Sequence, residues 1–397
     1  MFCDEHAKAG CEMKKRRMGT AIGAVVIVAA AVAIVGLCLG WFHPADRDNT
    51  HGEQGARGTA TPSAAVSITT TPTENPNGNG NTAGAGKFKN ENEYSLLTTG
   101  GMLPISDRRI PKEILPAETP DFTKAKEGSL TVTWFGHSSS LAQLGTVNIL
   151  IDPVFGERTS PVSFMGPKRF AERAVTPESM PDIDVLFLSH DHFDHMEEQT
   201  IRAIAGKVKH YVVPLCVDEI LMNWGIPGDR ITALDWWEET TIDGVTYAVT
   251  PSQHNSGRGL GGSNNTLWGG GYFRDGSHSV YYTGDGGYYD VFARVYARFG
   301  APDLMLAECG QYDTSWAQTH MFPEQSAQAA ADVQAKWVIP VHWGAYCLCN
   351  VAWDDSIIRM KSATAEKGVN LATPRIGQTV DYDDIADYCE QWWEEYD

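Results

Sequence analysis

The sequence lacks two patterns that often identify a catalytic or zinc-binding protein. No Gly-x-Ser-x-Gly elbow occurs among its 397 residues, so nothing indicates an activated serine nucleophile. None of the eight cysteines forms a Cys-x-x-Cys pair, which argues against a zinc finger or zinc ribbon. We therefore expect the cysteines to be small buried thiols and not metal ligands.

Basic residues are also scarce. The chain holds 31 Lys and Arg against 50 Asp and Glu, which gives a formal net charge of −19. Such a surface repels polyanions, so no nucleic acid partner is expected. One basic cluster does stand out near the N-terminus, formed by Lys14, Lys15, Arg16 and Arg17.

An uncharged run rich in Ala, Val, Ile and Leu follows this basic cluster, at residues 20–42. As a helix it would span about 34 Å, enough to cross a hydrocarbon core of about 30 Å. Basic residues before a span favour a cytosolic N-terminus. We predict a cytosolic segment at 1–18 and a single transmembrane anchor at 19–42, with the rest of the chain outside the cell membrane. A cleaved signal peptide, which usually has a shorter apolar region, is the alternative.

The next segment, 43–90, is dominated by Thr, Asn, Gly, Pro, Ala and Ser, so it is predicted to be a disordered linker. From 91 to 380, strand-like and helix-like patterns alternate, which indicates an α/β domain. The acidic tail, 381–397, is expected to form a solvated helix that docks two tryptophans on the domain. Strands are predicted at 130–135, 147–151 and 184–188, and helices at 197–205, 290–299, 324–334 and 356–367.

Ligand-type side chains are concentrated in one run after the strand at 184–188. His190, His192, Asp194 and His195 form the pattern His-x-His-x-Asp-His. His190 and His192 can converge on one cation while the other two turn toward a second. Neutral imidazole and carboxylate suit zinc, manganese or ferrous iron. Four such groups would be costly to bury without partners, so we interpret the run as a metal site.

Three later strand-like runs each end on a further ligand-type residue. His254 ends the run 246–254, Asp285 ends 279–285, and His342 ends 337–342. A single His or Asp at a strand end is usually structural. Four strand ends that all supply ligands are a more specific indication of a metal centre.

These residues resemble the metallo-β-lactamase superfamily. Within it, the chain is similar to the N-acyl-phosphatidylethanolamine-hydrolysing phospholipase D group and its bacterial relatives, near the ascorbate-6-phosphate lactonases. The likeness covers about 130–378, and besides the histidine run it includes Ile-Asp-Pro-Val-Phe at 151–155 and His-Trp-Gly at 342–344. Two stretches depart from the resemblance: 284–288 differs from the pattern often found in the family, and 308–312 differs from the animal phospholipases. The second stretch is expected near the substrate, which leaves the exact substrate open.

The resemblance implies an αββα sandwich that holds two divalent metal ions. Zinc is the first expectation, and manganese or ferrous iron are alternatives. One ion is expected at the first ligand group and the other at the second, with Asp285 between them. The first group is His190, His192 and His254; the second is Asp194, His195 and His342.

The expected activity is hydrolysis of a lipid-like phosphodiester, as by a phospholipase D, through a metal-bridging hydroxide. Asp194 is then both a ligand and a candidate catalytic proton acceptor. His320 is a candidate substrate contact, with helix capping or support of a ligand as alternatives. A lactone or a sugar-phosphate ester is the second substrate class. A metal-dependent binding or sensor module is the non-enzymatic alternative, although the complete ligand set argues against it.

For the remaining polar residues of interest, a structural role competes with a functional one. His137 is expected to be structural. Lys168, Arg169 and Arg173 are candidates either for contact with an anionic head group or for a solvated face.

Overall fold

The computed structural model describes residues 68–71, 87–93, 101–259 and 263–396. Two sheets and five α-helices form its framework. In chain order the strands are β1 (Ile68–Thr71), β2 (Leu130–Trp134), β3 (Ser140–Leu144), β4 (Val147–Ile151), β5 (Ile183–Phe187), β6 (Val208–Pro214), β7 (Ile231–Leu234), β8 (Glu239–Ile242), β9 (Val245–Thr250), β10 (Gly270–Arg274), β11 (Ser279–Tyr282), β12 (Leu304–Glu308), β13 (Trp337–Val341) and β14 (Thr379–Asp381). The helices are α1 (Glu198–Ile204), α2 (Val217–Asn223), α3 (Val291–Phe299), α4 (Pro323–Asp332) and α5 (Asp355–Lys367).

Each sheet has seven strands and combines an antiparallel part with a parallel part. The first sheet has the order β14-β2-β3-β4-β5-β6-β7, and the second has the order β1-β8-β9-β10-β11-β12-β13. Strands β4 to β7 are parallel, and so are β11 to β13. The parallel strands β5 and β12 are buried along their whole length, as expected for strands covered on both faces.

The core lies between the two sheets, and a second apolar layer lies under the helices. Phe187 of β5 meets Phe273 of β10 with ring centroids 5.0 Å apart, which joins the inner faces of the sheets. The side chain of Leu186 points to the other face of β5, because successive side chains of a strand alternate. There it belongs to an apolar cluster with Ile201 of α1 and Leu221 of α2. The predicted α/β architecture with two layers of sheet is confirmed.

The predicted secondary structure of the domain is confirmed at each of the named strands and helices. Asp243 and Gly244 form the two-residue turn between β8 and β9, and both have positive φ, as this kind of hairpin requires. Pro323 occupies the first turn of α4, where its missing N–H costs nothing.

Two stretches of the predicted linker, 43–90, are ordered in the structure. Strand β1 pairs with β8, and Ile68 lies opposite Ile242. Residues 87–90 pack on the domain, where the Phe88 side chain is buried. A composition averaged over a long segment does not reveal such short docking sequences. Residues 87–90 thus contact the domain although they precede the boundary predicted at residue 91.

The predicted cytosolic segment, the anchor at 19–42 and the rest of the linker lie outside the described residues. Within the part of the chain that the structure describes, no helix is long and apolar enough to cross a membrane.

The acidic tail docks two tryptophans, as expected, but its helices are short 3-10 turns. They span Tyr382–Asp387 and Trp392–Tyr396. Trp392 and Trp393 are buried, and Trp392 stacks on Trp343 with centroids 5.4 Å apart. Because Trp343 directly follows the predicted ligand His342, the tail supports the end of a ligand-bearing strand.

The cysteines of the described residues are all free thiols. Cys309 and Cys349 are buried as expected, and Cys216 and Cys347 are partly buried. Cys389 is exposed, so the expectation of a buried thiol is wrong there.

Candidate metal centre

The structure brings all seven predicted ligand residues together at one end of the sandwich. Each follows a strand: the histidine run comes after β5, His254 after β9, Asp285 after β11 and His342 directly after β13. Together with His137, Asp152, Glu308 and His320 they form overlapping groups of three or four residues, and within each group one ligand atom per residue lies within 4.8 Å of the others.

The first ligand group consists of His190, His192 and His254. Nδ1 of His192 lies 3.0 Å from Nε2 of His190 and 3.2 Å from Nε2 of His254. Nδ1 of His254 donates to the carbonyl oxygen of Thr319 at 2.9 Å. Since a carbonyl can only accept, this bond leaves Nε2 of His254 with its lone pair toward the group.

The second ligand group consists of Asp194, His195 and His342. Oδ2 of Asp194 lies 3.6 Å from Nε2 of His195 and 3.5 Å from Nε2 of His342. Nδ1 of His342 donates to the carbonyl oxygen of Gly310 at 3.0 Å, which again turns Nε2 toward the group. His342 has a positive φ of 69°, a backbone conformation that is uncommon outside glycine and is often found at functional sites.

Asp285 lies between the two groups. Its Oδ2 is 3.0 Å from Nε2 of His195 and 3.2 Å from Nε2 of His342. The same oxygen is 3.8 Å from Nε2 of His190 and 3.9 Å from Nε2 of His254. One carboxylate oxygen thus faces ring nitrogens of both groups.

The unsatisfied polar atoms of the centre indicate what it binds. Oδ1 of Asp285 is buried and makes no hydrogen bond, and the buried Nε2 atoms of His195 and His342 face Oδ2 of Asp285 without forming a hydrogen bond of good geometry. A buried polar group without a partner costs about 1–3 kcal/mol. Divalent cations would satisfy these atoms, and imidazole with carboxylate is a donor set that zinc, manganese and iron accept. The residues present therefore fit metal ions.

The electrostatics of the two groups differ. Burial lowers the pKa of His190 and His254 well below the usual range, so both rings are neutral and ready to bind a cation. Burial alone would also lower the pKa of His195, but the carboxylates of Asp285 and Asp194 outweigh it and raise that pKa to about 10. Without a metal, the second group is thus a set of imidazolium–carboxylate pairs.

Both ligand carboxylates are ionised. Burial would raise the pKa of Asp194 and of Asp285, but the positive charge on His195 outweighs it and holds both values well below the usual range. His342 contributes to the same effect at Asp285. Ionised carboxylates are the form that binds a cation.

Asp152 supports His195 from behind, a role that the sequence analysis did not assign. Its side chain is fully buried, and Oδ2 accepts from Nδ1 of His195 at 2.8 Å and from the hydroxyl of Tyr282 at 2.6 Å. Ser189 donates to both carboxylate oxygens, through its backbone N–H and its hydroxyl. The available signal was an aspartate directly after strand 147–151, the same pattern that marked the ligands.

His137, which is expected to be structural, contacts the candidate ligand Asp194. Its Nε2 is 2.9 Å from Oδ2 of Asp194, and its ring centroid is 4.3 Å from that of His342. Burial, with a smaller contribution from His342, lowers the pKa of His137 to about 3. A neutral ring can donate one hydrogen bond to Asp194 and so orient that carboxylate.

His320 lies beside both ligand groups, with ring centroids 5.0 Å from His254 and 5.5 Å from His342. Its Nδ1 is 2.5 Å from Oε1 of Glu308, a fully buried carboxylate that also accepts from the backbone N–H of Gly286. The structure therefore favours a place at the metal centre over capping of α4. In the sequence, Glu308 is distinguished only by its difference from the animal enzymes.

The candidate head-group residues make structural bonds. Arg169 donates to the carbonyl oxygen of Val154 at 2.8 Å and stacks over the ring of Tyr346. Lys168 pairs with Glu157 at 3.3 Å. Arg173 donates to the carbonyl oxygen of Phe155 at 3.4 Å. These contacts lie within the protein, and contact of the three side chains with an anionic head group stays a prediction.

The loop after His254 closes over the histidine run. The backbone N–H of Gly257 donates to Oδ1 of Asp191 at 2.7 Å. Arg258 donates to the backbone carbonyls of Asp191 and Met196 and stacks over Phe193 at 4.2 Å. Hydrogen bonds from Gly257 and Arg258 thus fix this part of the loop to the histidine run.

The chain is similar to several known proteins. A family model described as a beta-lactamase superfamily domain matches residues 147–343. The N-acyl-phosphatidylethanolamine-hydrolyzing phospholipase D 1 of Caenorhabditis elegans is 32% identical over 256 residues, which cover 61% of this chain and 71% of that protein. An uncharacterized protein of Mycobacterium tuberculosis is 36% identical over 275 residues, which cover 68% of this chain and 74% of that protein.

A solved structure shares the fold. The metallo hydrolase of the hyperthermophilic archaeon Ignicoccus hospitalis superposes with a TM-score of 0.50 at 19% identity, over 64% of this chain and 98% of that one. At that level of identity the likeness supports the architecture alone.

Proposed function

Because this chain belongs to the metallo-β-lactamase superfamily and is a metal-dependent hydrolase, we propose that it cleaves a lipid-like phosphodiester with two bound divalent ions. Zinc is the first candidate for both ions, since three histidines in one group suit it well. The cleavage would be that of a phospholipase D, between phosphorus and the head-group oxygen.

The position of Asp285 carries this proposal. Its Oδ2 faces His195 and His342 at 3.0 and 3.2 Å and faces His190 and His254 at 3.8 and 3.9 Å. A carboxylate placed between two ligand groups is the arrangement that holds a pair of cations. Two ions bound about 3.5–4 Å apart would lower the pKa of a water molecule and stabilise charge on the phosphate oxygens.

The side chains around the ions would orient the substrate and transfer protons. The side chains of Asp194 and His320 are each 17% exposed, whereas those of His190, His254 and His342 are almost completely buried. Substrate therefore approaches on the side where Asp194 and His320 lie.

His320 is the better candidate for proton transfer. The low pKa of Asp194 suits a ligand but makes its carboxylate a weak proton acceptor. Glu308 fixes the ring of His320 through Nδ1. Among the described residues Nε2 of His320 has no hydrogen-bond partner, so it is available to a leaving-group oxygen.

The lipid character of the substrate is supported by the relative from Caenorhabditis elegans, whose name records hydrolysis of N-acyl-phosphatidylethanolamine. It is also supported by the predicted anchor at 19–42, which would hold the domain beside a bilayer. Proximity to a membrane favours a substrate that resides in it.

The substrate class is tested with the purified full chain in detergent. N-acyl-phosphatidylethanolamine in mixed micelles is compared with a six-carbon lactone and a sugar phosphate. We expect release of a phosphatidic acid, loss of this activity after treatment with chelator, and recovery when zinc is restored. Opening of the lactone without cleavage of the phospholipid would move the chain to the second substrate class.

The location is a separate proposal. We propose that residues 19–42 anchor the chain once in the cell membrane and that the domain lies outside, because the basic cluster precedes the apolar run. Protease added to intact cells should then release the domain. A domain that stays protected until the cells are lysed would show the opposite orientation.

A further inference from the structure

A short N-terminal segment crosses the loop that carries the ligand His254. We call residues 87–91 the clasp. Phe88 of the clasp is only 6% exposed, and its backbone N–H donates to the carbonyl oxygen of Asn264 at 2.9 Å. Lys87 donates to the hydroxyl of Ser263 at 3.1 Å. The clasp therefore contacts Ser263 and Asn264, which lie in the loop that follows His254.

Asn90 is the residue of the clasp that reaches the ligand. Its Nδ2 donates to the carbonyl oxygen of His254 at 2.7 Å, and its Oδ1 accepts from the backbone N–H of His254 at 3.0 Å. The same Oδ1 accepts from Nε1 of Trp268 at 3.2 Å. One side-chain amide thus satisfies both backbone groups of a single metal-ligand residue.

The clasp is also anchored beyond Asn90. Glu91 accepts hydrogen bonds from both terminal nitrogens of Arg294 and from the hydroxyl of Tyr289 at 3.0 Å. With Phe88 buried on one side and Glu91 paired on the other, the Asn90 side chain is held in place by contacts that do not involve His254.

His254 depends on such support because it lies outside regular structure. Strand β9 ends at Thr250, four residues earlier. The isolated bridge between Gln253 and Gly287 fixes the preceding residue but does not pair the backbone N–H and carbonyl of His254 itself. Its ring is fixed at one point, by the bond from Nδ1 to the carbonyl oxygen of Thr319. The bonds with Asn90 fix the other end of the residue.

We propose that Asn90 is a positioning residue of the metal centre. Its amide holds the backbone of His254 so that the first ligand group is assembled before an ion arrives. The inference rests on the two-ion site proposed above, but it does not depend on which substrate is hydrolysed.

The expected effect concerns the first ligand group alone. In Asn90→Ala the backbone N–H and carbonyl of His254, a residue that is 1% exposed, lose their partners. Loss of a residue that orients a ligand typically lowers metal affinity about 10–100-fold. The second group, formed by Asp194, His195 and His342, makes no contact with the clasp and should keep its affinity.

The test is a zinc titration of the chelator-stripped full chain against a competing chromophoric chelator. The wild-type titration counts the ions, so a failure of the two-ion proposal is seen separately. Asn90→Ala should weaken one ion about 10–100-fold and leave the other unchanged. His190→Ala identifies the weakened ion, because it removes a ligand of the first group directly.

Two further variants keep the test decisive. Lys89→Ala changes the exposed neighbour of Asn90 and should bind both ions as the wild type does. Glu91→Gln weakens the anchoring to Arg294 and should cause a smaller loss of affinity for the same ion, even if Asn90→Ala fails to fold. Equal weakening of both ions, or wild-type affinity in Asn90→Ala and Glu91→Gln, would overturn the inference.

Discussion

Replacement of Asp152 by asparagine tests whether the buried carboxylate behind His195 contributes to metal binding. Oδ2 of Asp152 accepts from His195 at 2.8 Å, from Tyr282 at 2.6 Å and from the hydroxyl of Ser189 at 2.5 Å. Asparagine has nearly the same size but no charge. The NH₂ group of asparagine would face a hydrogen-bond donor in either orientation. On the Oδ2 side it would meet the three donors named above, and on the Oδ1 side it would meet the backbone N–H of Ser189.

The magnitude follows from the bonds that are lost. A hydrogen bond to a charged group contributes about 1.5–3 kcal/mol, and here the bond fixes the ring of a ligand. Residues in this position typically change metal affinity about 10–100-fold, which corresponds to about 1.4–2.8 kcal/mol. We therefore expect Asp152→Asn to weaken the ion at Asp194, His195 and His342 by about 10–100-fold.

Competition with a chromophoric chelator at neutral pH measures this change. Asp184→Asn is a matched control, because Asp184 is also a buried aspartate of the first sheet but bonds to Asn148 and Lys209, away from the metal centre. The control should bind both ions like the wild type. Zinc affinity of Asp152→Asn within twofold of the wild type would refute the reasoning.

Three further predictions concern the centre itself. Asp285→Ala removes the carboxylate between the two groups and should lower the content of both ions in elemental analysis; two retained ions would contradict its bridging position. His320→Ala should lower kcat by about 100-fold with unchanged metal content. Glu308→Gln should lower kcat by a smaller factor. If His320→Ala changed KM alone, His320 would have a binding role and not a role in proton transfer. Zinc binding at pH 7.5 should release at least one proton, because the metal-free protein holds a proton on His195 with a pKa of about 10. The binding enthalpy measured by calorimetry should therefore vary with the ionisation enthalpy of the buffer.

The same histidine makes the stability of the metal-free protein depend on pH. Its pKa in the folded state, about 10, lies above the value of about 6.5 expected in the unfolded chain. The proton on His195 therefore stabilises the metal-free fold fully below pH ~6.5, and this contribution is lost as the pH rises toward 10. The Tm of the stripped protein should fall over that range, more steeply than the Tm of the zinc-loaded protein.

The ligands were predictable because their signal is local. His190, His254, Asp285 and His342 each follow an apolar strand-like run, and strand ends that meet at one end of a sandwich bring such residues together. The helices and strands were predictable for the same reason, since hydrophobic periodicity is read over a short window.

The supporting residues were not predictable, because their roles depend on contacts across the fold. Asp152 contacts His195, 43 residues later, and Asn90 contacts His254, 164 residues later. Asp152 has the same strand-end position as the ligands, but that pattern does not distinguish a ligand from a residue that supports one. Asn90 does not differ in its local sequence from an ordinary polar residue of a linker. Glu308 differs from the animal enzymes, but the sequence does not show what it contacts. Its contact with His320 depends on how the loop before α4 packs against the end of β12.

The proposed two-metal centre is tested most directly by X-ray diffraction from crystals of the zinc-loaded chain, with anomalous data recorded at the zinc edge. We predict two anomalous peaks about 3.5–4 Å apart. One should lie about 2.0–2.1 Å from ring nitrogens of His190, His192 and His254. The other should be bound by His195 and His342, with Asp285 between the peaks. A single peak, or peaks that do not contact these residues, would contradict the two-metal centre.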